Sequence, residues 1–279
     1  MSVLSEADKA FYEDNGYVIV HDAVPEENLR ATIAAIFDFL GMDPSNPDDW
    51  YRPPHRTGGM VEMYQHPSMW NNRQHPRVHQ AFAESMGTER LWVTIDRVSM
   101  KPPADQKYPA YDNKGFTHLD ANVDAIRAGE DPPRGVQGVL CLTDTTADMG
   151  GFRCVPGFHK TAVEWIRSHA PGQKLDFESL PAIPIPGKAG DLIIWHRLLA
   201  HGNGHNTSNR PRLAQYISMF PARENDEPGR RRRIEMWQTR TPPEATWVVG
   251  DERRWEQTHG TTATLTPLGR KLLGIDLWE

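Results

Sequence analysis

The chain has 279 residues, of which 38% are hydrophobic and 24% charged, values typical of a single soluble globular domain. Its net charge of −6 gives no general attraction to nucleic acids or anionic membranes, and no apolar run approaches the ~20 residues of a membrane span. Cys141 and Cys154 are too few for a disulfide framework. Because the N-terminus also lacks a secretory signal pattern, the composition predicts a cytoplasmic protein without nucleic-acid or membrane partners.

The N-terminal part predicts a helix, a strand and a second helix. Ser5 and Asp8 form a capping-box pattern that begins the first helix, and the β-branched run over 17–20 is typical of a strand. Pro25, followed by two acidic residues, begins the second helix, and Gly41 ends it.

Residues 42–75 hold five prolines and the pair Gly58-Gly59, and they show no periodicity. They also carry several aromatic residues, which are rare in disordered segments. A long loop inside a compact domain is usually a lid or a binding loop. We therefore predict an ordered lid over 42–75; the alternative is a loop that merely packs on the surface.

A helix over 77–86 and a strand over 91–100 are predicted next. Arg97 shares a strand face with apolar residues, and Lys101 lies just past the end of the strand. Each cation is either a buried partner for an anion or a solvated charge at a strand end, and the second interpretation is favoured for either one alone. Residues 102–115, rich in proline and tyrosine, predict a loop.

The stretch Phe116-Thr117-His118-Leu119-Asp120 carries a candidate metal site. Residues i and i+2 of a strand point to the same face, so His118 and Asp120 can lie side by side. One further imidazole would complete a two-His-one-carboxylate face with three open metal positions, an arrangement that suits Fe(II) and oxygen chemistry. The alternative is a His and an Asp hydrogen-bonded on a solvated loop.

Three histidines in the second half of the chain compete for the third ligand position. They are His196, His201 and His205, and spacing alone does not choose among them. His159 is interpreted as a structural histidine at a turn. The elements predicted in this part are strands over 136–142, 152–155, 182–186 and 192–195 and a helix over 161–169.

Arg212 begins a strand predicted over 212–220, since Pro211 cannot donate to a sheet ladder. A buried arginine needs an anionic partner, which here is either a protein carboxylate or a carboxylate of a ligand. Residues 223–279 are predicted to be a C-terminal extension of one domain covering 1–279. In that extension, the acidic residues near Arg230–Arg233 favour a solvated turn over a phosphate contact.

Several segments in a fixed order carry a family resemblance. They are FYEDNGYVIV over 11–20, His118-Leu119-Asp120, Gly150-Gly151, PGFHK over 156–160, GDLIIWHRLLAHG over 190–202, and Arg212. Together they resemble the phytanoyl-CoA dioxygenase family of Fe(II)/2-oxoglutarate oxygenases, over about residues 8–222. The resemblance implies that His201 is the third metal ligand beside His118 and Asp120. It also implies that Arg212 binds the far carboxylate of 2-oxoglutarate.

The resemblance further implies a mainly β fold with flanking helices, a double-stranded β-helix (a cupin-like jelly roll). The implied cofactors are Fe(II), 2-oxoglutarate and O2: 2-oxoglutarate chelates the iron through its 1-carboxylate and keto oxygen, and O2 takes the remaining position. A substrate C–H bond is oxidised as succinate and CO2 are released. Related halogenases carry a small residue in place of Asp120, so hydroxylation or desaturation is implied. The predicted cofactor-binding residues are Arg212, Lys101, Arg97, Gln137 and Asn203.

The substrate is expected to be a small molecule, and Arg52, Arg56 and the aromatic residues of the predicted lid would suit a polar or anionic one with a flat or apolar part. Two functions of other classes remain. The same three residues could bind Zn(II) and activate water for hydrolysis, although Arg212 would then have no evident role. The jelly roll could instead be a non-catalytic ligand-binding module, at the cost of holding two His and an Asp together without a metal. No oligomeric state is predicted.

Overall fold

Nine helices and twelve strands are formed in the computed structural model, which describes residues 2–133 and 135–278. The helices are α1 (Glu6–Asn15), α2 (Glu26–Leu40), α3 (Pro67–Arg73), α4 (Pro76–Met86), α5 (Val123–Arg127), α6 (Ala162–Arg167), α7 (Glu227–Thr239), α8 (Trp255–Thr258) and α9 (Pro267–Leu273). The strands are β1 (Tyr17–Val20), β2 (Met60–Val61), β3 (Leu91–Val93), β4 (Val98–Lys101), β5 (Thr117–His118), β6 (Val136–Cys141), β7 (Phe152–Cys154), β8 (Ile183–Pro184), β9 (Leu192–His196), β10 (His201–Asn203), β11 (Arg212–Tyr216) and β12 (Met219–Pro221). Within these described ranges, no helix has the length and apolarity that crossing a membrane requires.

Two antiparallel sheets form the framework. The larger sheet has the order β1-β9-β6-β11-β4-β2, with β12 pairing β3 and β6, and the smaller sheet has the order β5-β10-β7-β8. From β4 to β11 the chain passes back and forth between the sheets: β4, β6, β9 and β11 belong to the larger sheet, and β5, β7, β8 and β10 to the smaller one. This arrangement confirms the predicted double-stranded β-helix with flanking helices.

Strand β9 shows how the layers pack. Alternate side chains of a strand point to opposite faces. Ile193 and Trp195 join the core that contains side chains of the smaller sheet, whereas Leu192 and Ile194 join the core that contains side chains of α2 and α4. Full burial of one such aliphatic side chain is worth ~1.5–3 kcal/mol. The unbroken apolar run therefore fits a strand that is covered on both faces.

The strands predicted over 91–100 and 212–220 are each divided in two by the fold. The division separates β3 from β4 and β11 from β12. At this point the Thr94 amide donates to the Ser218 carbonyl (2.8 Å), and the Ser218 amide donates to the Thr94 hydroxyl (3.1 Å). Because these bonds replace the regular ladder, β12 pairs with β3 while β11 stays paired with β4.

Residues 42–75 do not form the irregular loop that the sequence predicts. They contain a 3-10 helix over Pro47–Tyr51, then β2 and α3. The His66 side chain accepts a hydrogen bond from the Ser68 amide at the start of α3, and Pro67 occupies the first turn, where proline is favoured. A two-residue strand and a seven-residue helix are too short to give a detectable period.

The arginines Arg230–Arg233 lie in α7 and not in the solvated turn that the sequence favoured. Arg230 and Arg231 pair with Glu227 one helical turn away. Arg233 is buried and donates to the carbonyl oxygens of Leu273 (3.1 Å) and Val93 (2.6 Å). This arginine therefore ties the C-terminal extension to β3.

Candidate metal centre

Strands β5 and β10 place two imidazoles side by side. His118 and His201 are directly opposite each other in the antiparallel register, so their side chains project from the same face. The two ring centroids are 4.6 Å apart. The ring of His201 also packs against Trp195 and Phe152 at centroid distances of 5.0 and 6.0 Å, which buries it in the core between the sheets.

Asp120 joins the two histidines from outside the strand. β5 ends at His118 and Asp120 lies in the bend that follows, so the strand geometry inferred from the sequence does not extend to it. Its carboxylate oxygens are 3.5 Å from His118 Nε2 and 3.6 Å from His201 Nε2. Arg197 Nε donates to the Asp120 carbonyl (3.1 Å) and holds the bend. One potential ligand atom from each of the three residues lies within 4.8 Å of the others.

The hydrogen bonds and charges around His201 and Asp120 favour the protonation states that bind a metal cation. His201 Nδ1 is 2.9 Å from the Leu199 carbonyl, which can only accept, so Nδ1 carries the proton and Nε2 presents a lone pair. Burial, with the neighbouring His118, lowers the pKa of His201 to about 4. Burial alone would raise the pKa of Asp120, but the hydrogen bond to His118, the charge at His201 and the hydrogen bond from Gln137 hold that pKa well below its usual range. A neutral imidazole and an ionised carboxylate are the metal-binding forms.

The competing histidines have other partners. His196 Nδ1 accepts from the Leu198 amide (3.1 Å), and His205 pairs with Asp112. Of the three histidines that spacing left open, the fold thus brings His201 to His118 and Asp120. His159 Nε2 donates to the Glu13 carbonyl (3.1 Å), which agrees with the structural role predicted for it.

Two cations lie opposite each other on the larger sheet, Arg212 on β11 and Lys101 on β4. Their exposed fractions are 1% and 5%. Throughout 2–133 and 135–278, no carboxylate oxygen lies within 4.0 Å of either side-chain nitrogen group, and Arg212 Nε has no hydrogen-bond partner. Arg212 Nη1 is 3.5 Å from the Ser99 hydroxyl, and Lys101 Nζ donates to the Gly204 carbonyl.

The burial of these two cations corrects the interpretation of Lys101 as a solvated strand-end charge, because it is the last residue of β4 and lies inside the protein. Burial and the charge of Arg212 lower the pKa of Lys101 to about 8. Burying charge without a counter-ion is costly. The pair of cations is therefore a site suited to an anion that the described part of the chain does not supply.

Arg97, a predicted cofactor-binding residue, has a protein carboxylate as its partner. Its Nη1 is 3.0 Å from Glu62 Oε1, and its guanidinium lies 5.0 Å from the centre of the Trp247 ring. Since Glu62 already neutralises it, Arg97 is not comparable with Arg212 as a cation for a ligand. The sequence could not show this pairing because Glu62 and Arg97 are 35 positions apart in the chain.

The other two predicted cofactor-binding residues also contact protein groups. Asn203 Nδ2 donates to the Tyr216 hydroxyl (3.0 Å). Gln137 Nε2 donates to Asp120 Oδ2 (2.7 Å). Asn203 therefore contacts the phenol of Tyr216, and Gln137 contacts the carboxylate of Asp120.

Two residues at the site received no role from the sequence. Ser99 lies beside Arg212, and the Phe116 ring lies 4.9 Å from the ring of His118 although Phe116 is 62% exposed. The two-residue period of a strand could have indicated both of them. Ser99 precedes Lys101 by two residues and Phe116 precedes His118 by two, so each shares a strand face with a predicted site residue.

Two surface clefts of about 260 and 290 Å³ lie elsewhere, between residues 42–75 and the C-terminal extension. Their linings share Glu62 and residues 249–252 and include none of the clustered residues His118, Asp120 and His201. The volume of a cleft is therefore a poorer guide to the reactive centre of this protein than the chemistry of the clustered side chains.

The family model for phytanoyl-CoA dioxygenase (PhyH) matches residues 12–214. The chain belongs to the phytanoyl-CoA dioxygenase family. Membership makes the protein an iron- and 2-oxoglutarate-dependent dioxygenase. A phytanoyl-CoA dioxygenase-like protein of Dictyostelium discoideum is 26% identical to it over 261 residues, covering 76% of this chain and 74% of that protein. The residues matched by the family model include His118, Asp120, His201 and Arg212.

Solved structures share the fold of this phytanoyl-CoA dioxygenase family member. GIG2 from Candida albicans superposes with a TM-score of 0.71 and 13% identity, covering 99% of this chain and 77% of that one. The epimerase SnoN, solved with Fe3+, alpha ketoglutarate and nogalamycin RO, superposes with a TM-score of 0.53 and 18% identity, covering 78% and 83%.

Proposed function

We propose that His118, Asp120 and His201 hold Fe(II), and that the protein hydroxylates a C–H bond of a small-molecule substrate. When bound, iron and 2-oxoglutarate would supply the oxidising chemistry with O2 and release succinate and CO2. The observation that carries the proposal is the combination of this cluster with a buried arginine that no carboxylate of the described residues contacts. A two-His-one-carboxylate set leaves positions open for a cosubstrate and O2.

Arg212 and Lys101 are proposed to bind the far carboxylate of 2-oxoglutarate. A planar guanidinium can donate two parallel hydrogen bonds to a carboxylate, and the buried Arg212 Nε has no hydrogen-bond partner among the residues that the structure describes. The hydroxyl of Ser99, 3.5 Å from Arg212 Nη1, is a further donor on the same face. These groups favour a cosubstrate with two acidic ends, because one carboxylate would meet the cations and the 2-oxo acid end would bind the metal.

The cation pair also argues against the two other functions considered. A zinc hydrolase with the same three ligands needs an open position for water, but it has no use for two buried cations without an acid. A non-catalytic sugar- or ligand-binding module has no use for two imidazoles and a carboxylate held within 4.8 Å. An oxygenase uses both features.

The exposed phenyl ring of Phe116 favours a substrate with an apolar part. This ring lies beside the ring of His118, one of the three proposed metal ligands, where a bound substrate would cover it. Of the two arginines that suggested a polar or anionic substrate, Arg52 is paired with Asp49 and Arg56 lines a cleft that does not include the cluster. We therefore propose an apolar or ring-bearing small molecule in place of an anionic one.

Metal content and 2-oxoglutarate consumption, measured in one anaerobically reconstituted preparation, test the proposed function. We expect one Fe(II) per chain and slow release of succinate that depends on Fe(II), 2-oxoglutarate and O2 together. A preparation that binds Zn(II) tightly and never binds 2-oxoglutarate would favour the hydrolase. Succinate release that accelerates with members of a library of apolar small molecules would identify the substrate class.

The affinity for 2-oxoglutarate should fall as the pH rises through the pKa of Lys101. That pKa is lowered from 10.5 to about 8, so Lys101 is charged below pH 8 and loses its proton above it. If the charged form binds the cosubstrate, the dissociation constant should rise about tenfold between pH 7 and pH 9. Anaerobic titrations at both pH values measure this change. Lys101→Met should bind more weakly at pH 7 and lose the dependence; an identical pH dependence in this variant would contradict the assignment.

Residues 42–75 are proposed to act as a lid that becomes more ordered when cosubstrate and substrate bind. The Tyr51 hydroxyl donates to the Pro103 carbonyl (3.1 Å), and His55 Nε2 lies 2.7 Å from the Met100 carbonyl, next to Lys101. We expect increased hydrogen-exchange protection over 42–59 on addition of 2-oxoglutarate with Fe(II), and a smaller change over 60–75, where β2 and α3 are already packed. Equal protection with and without ligands would contradict a lid.

A further inference from the structure

The two oxygens of the Asp120 carboxylate have different surroundings. Oδ2 accepts a hydrogen bond from Gln137 Nε2 at 2.7 Å. Each oxygen also lies near one imidazole, Oδ1 3.5 Å from His118 Nε2 and Oδ2 3.6 Å from His201 Nε2. In the described part of the chain, the difference between the two oxygens is therefore the short hydrogen bond from Gln137, which only Oδ2 accepts.

Gln137 is well placed to impose this difference because its strand cannot shift easily. β6 lies inside the larger sheet, paired with β9 on one side and β11 on the other. At the next residue, Gly138, a Cβ atom would come within 2.6 Å of the Ile217 carbonyl oxygen, so the backbone there is closely packed. The amide of Gln137 therefore reaches Asp120 from a fixed position.

Charge fixes the orientation of the amide as well. Gln137 Oε1 is buried and has no hydrogen-bond partner among the described residues, so no protein donor competes for it. Rotating the amide by 180° would place Oε1 against the ionised carboxylate of Asp120, which repels it. The N–H end consequently stays on Oδ2.

We propose that Gln137 is a positioning residue that restricts Asp120 to coordination through a single oxygen. This inference rests on the proposed function and deepens it. A carboxylate can bind a metal through one oxygen or two. The N–H group of Gln137 occupies a lone pair of Oδ2 and draws electron density from it, so Oδ1 would be the oxygen that binds the metal. With two imidazoles, one-oxygen coordination leaves three of six positions open, two for a chelating 2-oxo acid and one for O2; two-oxygen coordination would leave two.

Counting metal-bound water tests the proposal without relying on turnover. Metal-free protein is loaded with Mn(II), and the water-proton relaxation due to exchangeable bound water is measured. In the wild type, we expect the relaxation enhancement that three metal-bound waters produce. In Gln137→Met, which keeps the length of the side chain but removes the donor, the bound-water contribution should fall by about one third, since one of three open positions is filled by Oδ2. Gln137→Leu should give the same result and serves if the Met variant does not fold.

Gln215→Leu is the matched control. Gln215 is a fully buried glutamine of the neighbouring strand β11 that bonds to Asn72 and to the Met69 carbonyl and not to Asp120. It should keep the wild-type water count even if the variant is less stable. A three-water count in both Gln137 variants would overturn the inference while leaving the proposed function intact. A wild type that binds no Mn(II) would instead overturn the proposed function.

Discussion

Arg212→Ala is expected to raise the dissociation constant of 2-oxoglutarate at least ~100-fold while the protein still binds Fe(II). The cosubstrate carboxylate must leave water to reach a guanidinium that is 1% exposed. Removing one partner of a buried charge pair costs about 3–5 kcal/mol, or roughly two to three and a half decades in affinity at ~1.4 kcal/mol per decade. Titration of 2-oxoglutarate into the anaerobic Fe(II) protein, followed by the metal-to-ligand charge-transfer band, gives the constant.

The structure supplies controls for this prediction. Arg212→Lys keeps the charge but loses the planar fork, so it should bind more tightly than Arg212→Ala and more weakly than wild type. Arg210→Ala removes an exposed arginine two residues away and should leave the constant unchanged. Arg212→Ala should also raise the pKa of Lys101 from about 8 toward its usual value, because the Arg212 charge is one cause of the lowering. An unchanged dissociation constant would mean that the carboxylate binds elsewhere.

Asp120→Ala is expected to abolish oxygenase activity and to weaken Fe(II) binding by more than ~100-fold. Even changes to groups that merely orient metal ligands cost 10- to 100-fold in affinity, and this variant removes the only carboxylate of the proposed ligand set. It also leaves His118 and His201 close together without the charge between them. Equilibrium dialysis against Fe(II) or Mn(II), with metal content measured afterwards, determines the loss.

A second pair of variants, His201→Ala with His205→Ala as its matched control, tests which histidine completes the proposed metal site. His205 was one of the three candidates for the same ligand position, but it pairs with Asp112. We expect His205→Ala to retain the full metal content and His201→Ala to lose it. Full metal content in His201→Ala together with loss in His205→Ala would reverse the assignment and would refute the ligand set proposed above.

Local patterns in the sequence predicted several elements correctly because their causes are local. The capping box at Ser5 and Asp8 forms as expected, and the apolar run 192–195 is a strand buried on both faces. The order of short motifs indicated the family and hence the jelly roll, and both were confirmed. Short elements such as α3 gave no signal because neither helical nor strand periodicity can develop over so few residues.

The sequence by itself thus determined the fold class, the family and the residue types from which the site is built. The tertiary structure decided which of those residues meet. The β5–β10 register places His201, and not His196 or His205, opposite His118. The β4–β11 register places Lys101 beside Arg212 in the interior. Arg97 forms an ion pair with Glu62. Pairing across a sheet joins residues far apart in the chain, and a shift of one residue reverses the face of every side chain. Spacing along the chain cannot contain that information.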